Sequence, residues 1–313
     1  MTEHSIRPDV QAYLDMLAAA PRPPMSDGMI AMIRQAPADF LASQDLPVGE
    51  LGEIRDVLMP GPAGDIPLRL FDVKAEREAS SVVVFFHGGG FVAGSIGSHA
   101  AMAAEISRGL DLPVVSVEYR LAPEHKWPAG PSDAEAATRW IAENGAAFGR
   151  EFTGLVLCGD SAGGNLTAVT SMALRDQPAT LPVMLQFAIY PTVGRSTEFP
   201  SYEAFADGFG LSRVDMNYFE GAYASNKADW RGAPALHDLS GMPPAVVVTA
   251  GLDPLRDDGR AYADKLEAAG VKVKYRNFEG TIHGFASYRR HIPSARDDLS
   301  EALAMANEML RAG

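Results

Sequence analysis

Cysteine is nearly missing from this chain of 313 residues: Cys158 stands alone, so no intrachain disulfide can form. It ends an apolar run, where a small buried hydrophobe is the expected role. Basic charge is also scarce. Lys and Arg number 27 against 40 Asp and Glu, a net charge of −13, and no basic stripe exists to neutralise phosphates. That balance excludes a nucleic-acid partner. Seven histidines (His4, His87, His99, His125, His237, His283, His291) show no H-E-x-x-H spacing, and a single cysteine allows no C-x-x-C pair. No structural or catalytic metal is expected. No segment approaches the length of a membrane span. Where a signal peptide would be apolar, the first twenty residues carry Glu3, Arg7, Asp9 and Asp15. A cytoplasmic protein with no integral membrane part is expected.

What the chain does have is an alternation of short apolar runs with amphipathic ones. Strands are expected at 66–71, 82–86, 114–117, 153–158, 183–189, 245–249 and from Val271 to Tyr275. Helices are expected at 98–110, 132–144, 165–175, 257–269 and 294–310. This order implies an α/β fold with a mostly parallel sheet covered by helices on both faces. The first fifty residues differ, with helical stretches at 10–19, 25–33 and 38–42 broken by Pro21, Pro23, Pro24 and Pro37. Residues 195–236 also interrupt the rhythm and are rich in aromatics, including Phe199, Tyr202, Phe205, Phe209, Tyr218, Phe219, Tyr223 and Trp230. Such an insertion either forms a lid or buries its aromatics in a small core of its own.

The most informative segment is Gly159-Asp160-Ser161-Ala162-Gly163, placed between a strand and a helix. Glycines two residues either side of a serine match a turn so tight that a side chain at either glycine would strike its neighbours. The serine is then held in a strained conformation with its hydroxyl exposed. A nucleophilic Ser161 needs a base and an acid that orients the base, in loops at the carboxyl ends of later strands. His283 lies in Thr281-Ile282-His283-Gly284-Phe285, before the last helix. Asp253 follows the strand 245–249; it could instead be only a helix cap, and Asp257 could be the acid. The order Ser161, Asp253, His283 is that of the strand–turn–helix hydrolases. His87-Gly88-Gly89-Gly90-Phe91 directly follows the strand 82–86. Its backbone lets the N–H groups of Gly88 and Gly89, with that of Ala162, receive the oxyanion of a tetrahedral intermediate. No phosphate-binding glycine pattern competes with that reading.

Together these motifs resemble the bacterial hormone-sensitive-lipase family (family IV) of carboxylesterases in the α/β-hydrolase superfamily. The resemblance rests on His87-Gly88-Gly89-Gly90, on Tyr119 to Glu124 with Pro128-Ala129, on Gly159 to Asn165, on Asp253 to Asp257, and on His283-Gly284-Phe285. It implies an eight-stranded sheet with a helical cap, and cofactor-free hydrolysis of short- to medium-chain carboxylic esters through an acyl-enzyme. The chain then divides into an N-terminal helical part of the cap (1–50), a catalytic domain in two parts (51–194 and 237–313) and a cap insertion (195–236). A small-molecule ester is the implied partner. A homodimer through the edge strand from Val271 to Tyr275 is implied as well. An arginine–carboxylate pair in Tyr119 to Glu124 is expected to fix the loop beneath the oxyanion strand, with direct substrate contact as the alternative. Asp160 is expected to organise the loop rather than act as catalytic acid. The rival activities are an amidase or peptidase and a ligand receptor; a receptor of this fold would typically lack the histidine base.

Overall fold

A computed structural model describes residues 5–36 and 43–312 of the chain; the helix expected at 38–42 lies outside the described residues. Eight strands form one sheet: β1 (Glu53–Gly61), β2 (Gly64–Asp72), β3 (Ser80–Phe86), β4 (Val114–Val117), β5 (Phe152–Asp160), β6 (Val183–Ile189), β7 (Ala245–Leu252) and β8 (Val273–Ile282). Their order is β1-β2-β4-β3-β5-β6-β7-β8. The β1–β2 and β2–β4 pairs are antiparallel and the rest parallel.

Period-two burial assigns each strand residue to a face. On β3, Val83 and Phe85 point into a core shared with helices α3 (Ala100–Leu110) and α9 (Ala295–Arg311). Val82, Val84 and Phe86 face the opposite core, shared with α4 (Ala129–Glu143) and α5 (Ala162–Asp176). Further along that second face, α5 packs with α8 (Arg256–Ala268) over β7. Both faces are thus covered, which is why these strands read as continuous apolar runs. Cys158 is buried in the first core, and burial pushes its thiol pKa well up.

The N-terminal helices divide between the two faces. α1 (Pro8–Ala19) buries Val10, Tyr13 and Leu14 with α3 and α9, while Ile30 of α2 (Asp27–Gln35) joins the α4–α5 side. Between β6 and β7 lie the short α6 (Pro200–Ala204) and α7 (Arg213–Tyr223), opened by a capping box from Ser212 and Asp215. The aromatics of this stretch do not form a core of their own. Phe205 and Phe209 pack into one main core, Tyr218, Phe219 and Tyr223 into the other, and Trp230 against α5 and α8.

The end of β8 differs from expectation. Residues 278–280 read as the start of a loop, yet β8 continues through them to Ile282. Gly280 takes a left-handed φ of +74°, and the pairing with β7 shifts register between Ala250 and Leu252, so the chain bends without leaving the sheet. The N-terminal segment runs beside this bend, with the N–H of Arg7 donating to the carbonyl of Gly280 at 3.2 Å.

Candidate active site

Four strands deliver four residues to one edge of the sheet. β3 ends at Phe86 before His87, β5 at Asp160 before Ser161, β7 at Leu252 before Asp253, and β8 at Ile282 before His283. Parallel pairing puts these carboxyl ends side by side, where open α/β sheets bind ligands.

Ser161 has φ +54° and ψ −114°, an unfavourable conformation for a residue with a side chain, at a typical cost of about 1–3 kcal/mol. It is held by its N–H donating to Ile189 at 2.9 Å and by the two flanking glycines. A Cβ at Gly159 would collide with the Gly163 carbonyl, and one at Gly163 with the Phe86 carbonyl. His283 Nε2 lies 2.9 Å from Ser161 Oγ, and His283 Nδ1 lies 2.7 Å from Asp253 Oδ2. A carboxylate only accepts, so the proton sits on Nδ1 and leaves Nε2 free to accept from the serine hydroxyl. Asp253 is fully buried and serves two ends: Oδ1 also accepts the N–H of Leu255 at 2.8 Å, so the same carboxylate caps the turn that leads into α8. Asp257 faces elsewhere, accepting the N–H of Ser201 at 2.9 Å and pairing with Arg256. The Tyr190 ring packs 4.7 Å from the His283 imidazole.

The glycine run differs in one donor from its sequence reading. The Gly88 N–H is directed at the carboxylate of Asp160, 2.8 Å away, and so is not open to a ligand. The N–H groups of Gly89, Gly90 and Ala162 meet no acceptor among the described residues, and both glycines line the cavity beside Ser161. Gly89 has φ +119° and Gly90 φ +61°, conformations open to glycine and unfavourable to residues with a side chain.

Beneath this loop sits a polar cluster. Burial, helped by neighbouring His99, pulls the His87 pKa down to about 3, so its ring is neutral. It stacks on Tyr119 at 4.3 Å, whose hydroxyl donates to the His87 carbonyl at 2.6 Å. His99 was not singled out by any spacing, yet its Nε2 is 3.5 Å from Asp160 Oδ1 and its Nδ1 2.9 Å from Ser98 Oγ. Burial lowers the His99 pKa, but the Asp160 charge outweighs it and the net direction is up. Burial raises the Asp160 pKa, but His99 and the Gly88 N–H outweigh that and the net direction is down. The two shifts agree on an ion pair. The expected arginine–carboxylate pair is Arg120 with fully buried Asp133, bidentate at 2.8 Å on both oxygens. Glu124 is exposed and pairs instead with Arg34 of α2, which also donates to the carbonyls of Val92 and Ala122.

Ser161 and His283 open onto a cavity of about 480 Å³. Its walls come from α1 and α2 (Leu17, Ile33), from the glycine loop (Phe91) and from α7 (Met216, Phe219, Tyr223). Across its rim, Arg22 grips Asp215 of α7 with contacts of 2.5 and 3.2 Å, and Asp215 also accepts the N–H of Met25. The attachment after β6 is made by buried Asp258, which accepts the N–H groups of Val193 at 3.0 Å and Gly194 at 3.2 Å. Among the described residues there is no group of three or more His, Cys, Asp or Glu able to hold a metal ion, and no helix long and apolar enough to cross a membrane.

Residues 83–287 match the family described as the alpha/beta hydrolase fold. The carboxylesterase NlhH of Mycobacterium tuberculosis is 38% identical over 255 residues, 79% of this chain and 80% of its own. The esterase LipI of the same organism is 36% identical over 298 residues, 93% and 92% of the two chains. Among solved structures, the ester hydrolase EH1AB1 from the metagenome of Lake Arreo, complexed with a bipyridine phosphonate derivative, superposes with a TM-score of 0.90. It shares 37% identity and covers 98% of this chain and 99% of its own.

Proposed function

The chain belongs to the hormone-sensitive-lipase-like carboxylesterases of the α/β-hydrolase fold and is a carboxylic ester hydrolase; on that premise we propose that Ser161, His283 and Asp253 form its catalytic triad. His283, oriented by Asp253, takes the Ser161 proton as Oγ attacks the ester carbonyl. The oxyanion rests on the N–H groups of Gly89, Gly90 and Ala162, donors that need no reorganisation when charge develops. His283 then protonates the leaving alcohol, and a water molecule repeats the sequence on the acyl-enzyme to release the acid. These steps require no cofactor.

The observation that carries this reading is the unbroken run of contacts, 2.9 Å and 2.7 Å, from the Ser161 hydroxyl through His283 to Asp253 at the cavity floor. Ser161→Ala should cut turnover of p-nitrophenyl butyrate by about 10⁶-fold, by analogy with removal of a triad serine, and abolish labelling by a fluorophosphonate. Retention of most activity would reject the assignment.

Short- to medium-chain acyl groups are the proposed range, because a cavity of about 480 Å³ walled by Phe91, Phe219 and Tyr223 encloses a small ester. Faster hydrolysis of long-chain triglyceride emulsions than of butyrate esters would overturn that range. Residues 1–50 and 195–236 together act as the cap, a role supported by the Arg22–Asp215 pair that joins them over the cavity. A homodimer would use the edge strand β8; sedimentation that reports only monomer at micromolar concentration would exclude it.

A further inference from the structure

Two tyrosines from opposite ends of the chain meet on the wall of the same cavity. Tyr13 stands on α1 and Tyr288 in the turn that follows His283-Gly284, with ring centroids 5.2 Å apart. Tyr13 is 5% exposed. The Tyr288 phenol lies across Gly284: a Cβ there, at φ +81°, would sit 3.4 Å from the Tyr288 hydroxyl oxygen. That hydroxyl is therefore beside the residue that follows His283.

Most tyrosine hydroxyls in this protein are committed. Those of Tyr119, Tyr202, Tyr218, Tyr262 and Tyr275 are bonded to protein groups. Those of Tyr190 and Tyr223 are unpartnered but sealed in the interior. The hydroxyls of Tyr13 and Tyr288 have no partner among the described residues either, and both residues line the cavity. Burial raises both pKa values, so each remains a neutral phenol able to donate one hydrogen bond and accept others. The Arg and Lys side chains lining the cavity, Arg22 and Lys227, are paired with Asp215 and Glu220, so neither is left free for a carboxylate. Leu17, Ile282 and Met216 add apolar surface to the cavity wall, beside the polar Gln44 and Ser287.

A hydrocarbon substrate filling this end would strip water from two phenols and return nothing. A neutral oxygen placed there would satisfy them. Sites built to hydrogen-bond a substrate group discriminate strongly against analogues that lack it, because the site's own polar groups are left unpaired. We propose that the preferred substrates are neutral short esters carrying a further hydroxyl or carbonyl oxygen, held by Tyr13 and Tyr288. This rests on the ester-hydrolase reading of Ser161 and adds the substrate class.

The test uses isosteric pairs on the full-length enzyme. Ethyl 3-hydroxybutyrate is compared with ethyl 3-methylbutyrate for an oxygen on the acyl side, and 2-hydroxypropyl butyrate with isobutyl butyrate for one on the alcohol side. Each kcat/KM is divided by the ester's alkaline hydrolysis rate to remove intrinsic reactivity. The oxygenated member should be favoured about tenfold or more in at least one pair. Tyr13→Phe and Tyr288→Phe should each bring that ratio towards one. Ratios at or below one in both pairs for the wild type overturn the proposal, as does a preference that survives both substitutions. Either result leaves the triad assignment standing, because loss of butyrate hydrolysis in Ser161→Ala is read separately.

Discussion

The carboxylate of Asp160 and the backbone N–H of Gly88 are bonded to each other at 2.8 Å, joining the residue before Ser161 to the first glycine of the proposed oxyanion loop. The bond has two consequences. It occupies the Gly88 N–H, and it ties the loop, whose next two glycines line the cavity, to the residue before Ser161. The pair is buried, and a Cβ at Gly88 would strike the same carboxylate. His99 on the far side of Asp160 keeps that carboxylate ionised.

Asp160→Ala should therefore lower kcat while leaving the triad contacts in place. A hydrogen bond to a charged group contributes about 1.5–3 kcal/mol, so a loss of about ten- to a hundredfold is expected. Asp160→Asn keeps an oxygen acceptor for Gly88 and should lose less. Steady-state kcat and KM on p-nitrophenyl butyrate check both; equal loss in the two variants would show that the hydrogen bond is not what matters.

Gly90→Ala puts a methyl group into the Phe219 ring and demands φ +61° of a residue that rarely adopts it. Activity should fall by about a hundredfold, the cost of disturbing one oxyanion donor. Gly221→Ala makes the contrast. It lies inside α7 with nothing within 4 Å of a new Cβ. That variant should gain about 0.5–1 kcal/mol from helix propensity, read as a small rise in Tm.

Asp258 makes a pH prediction. Burial raises its pKa to about 6, against two backbone N–H bonds that pull the other way. A carboxyl whose folded pKa exceeds its unfolded value lends stability while protonated and loses it as pH climbs from about 4 to about 6. Asp258→Asn stays neutral throughout and keeps an oxygen acceptor. The variant's stability relative to wild type should thus improve between pH 4 and pH 7 by on the order of 2 kcal/mol. Urea unfolding at the two pH values measures the change, and a constant difference would show that Asp258 does not titrate in this window.

Asp45 and Arg289, 3% and 2% exposed, form a buried ion pair with contacts of 2.9 and 2.6 Å. Arg289→Met leaves a buried carboxylate without its partner and should cost about 3–5 kcal/mol. Adding Asp45→Leu should restore much of that loss, since paired apolar replacements of buried ions are often tolerated. Chemical denaturation of the single and double variants decides it.

The strands that carry the site were legible because each is a short apolar run ended by a turn with its own chemistry. β4 and β6 match their expected limits, and Ser161, Asp253 and His283 each follow directly on a strand end. β8 was harder to read. Glu279-Gly280 has the look of a turn, and only pairing with β7, together with the N-terminal segment at Arg7, keeps those residues in the sheet. His99, Arg34, Tyr13 and Tyr288 carry no local signature at all.

The sequence alone determined which backbones turn tightly, which runs bury on both faces, and the order in which hydroxyl, carboxylate and imidazole arrive, since those properties depend on neighbours a few residues away. Which glycine N–H groups remain open was decided by Asp160 reaching 72 positions back along the chain to Gly88. The meeting of Tyr13 with Tyr288 was likewise settled only when both ends of the chain packed around the same core. Such contacts join segments far apart in the chain, and their energies exist only after the sheet has brought them together.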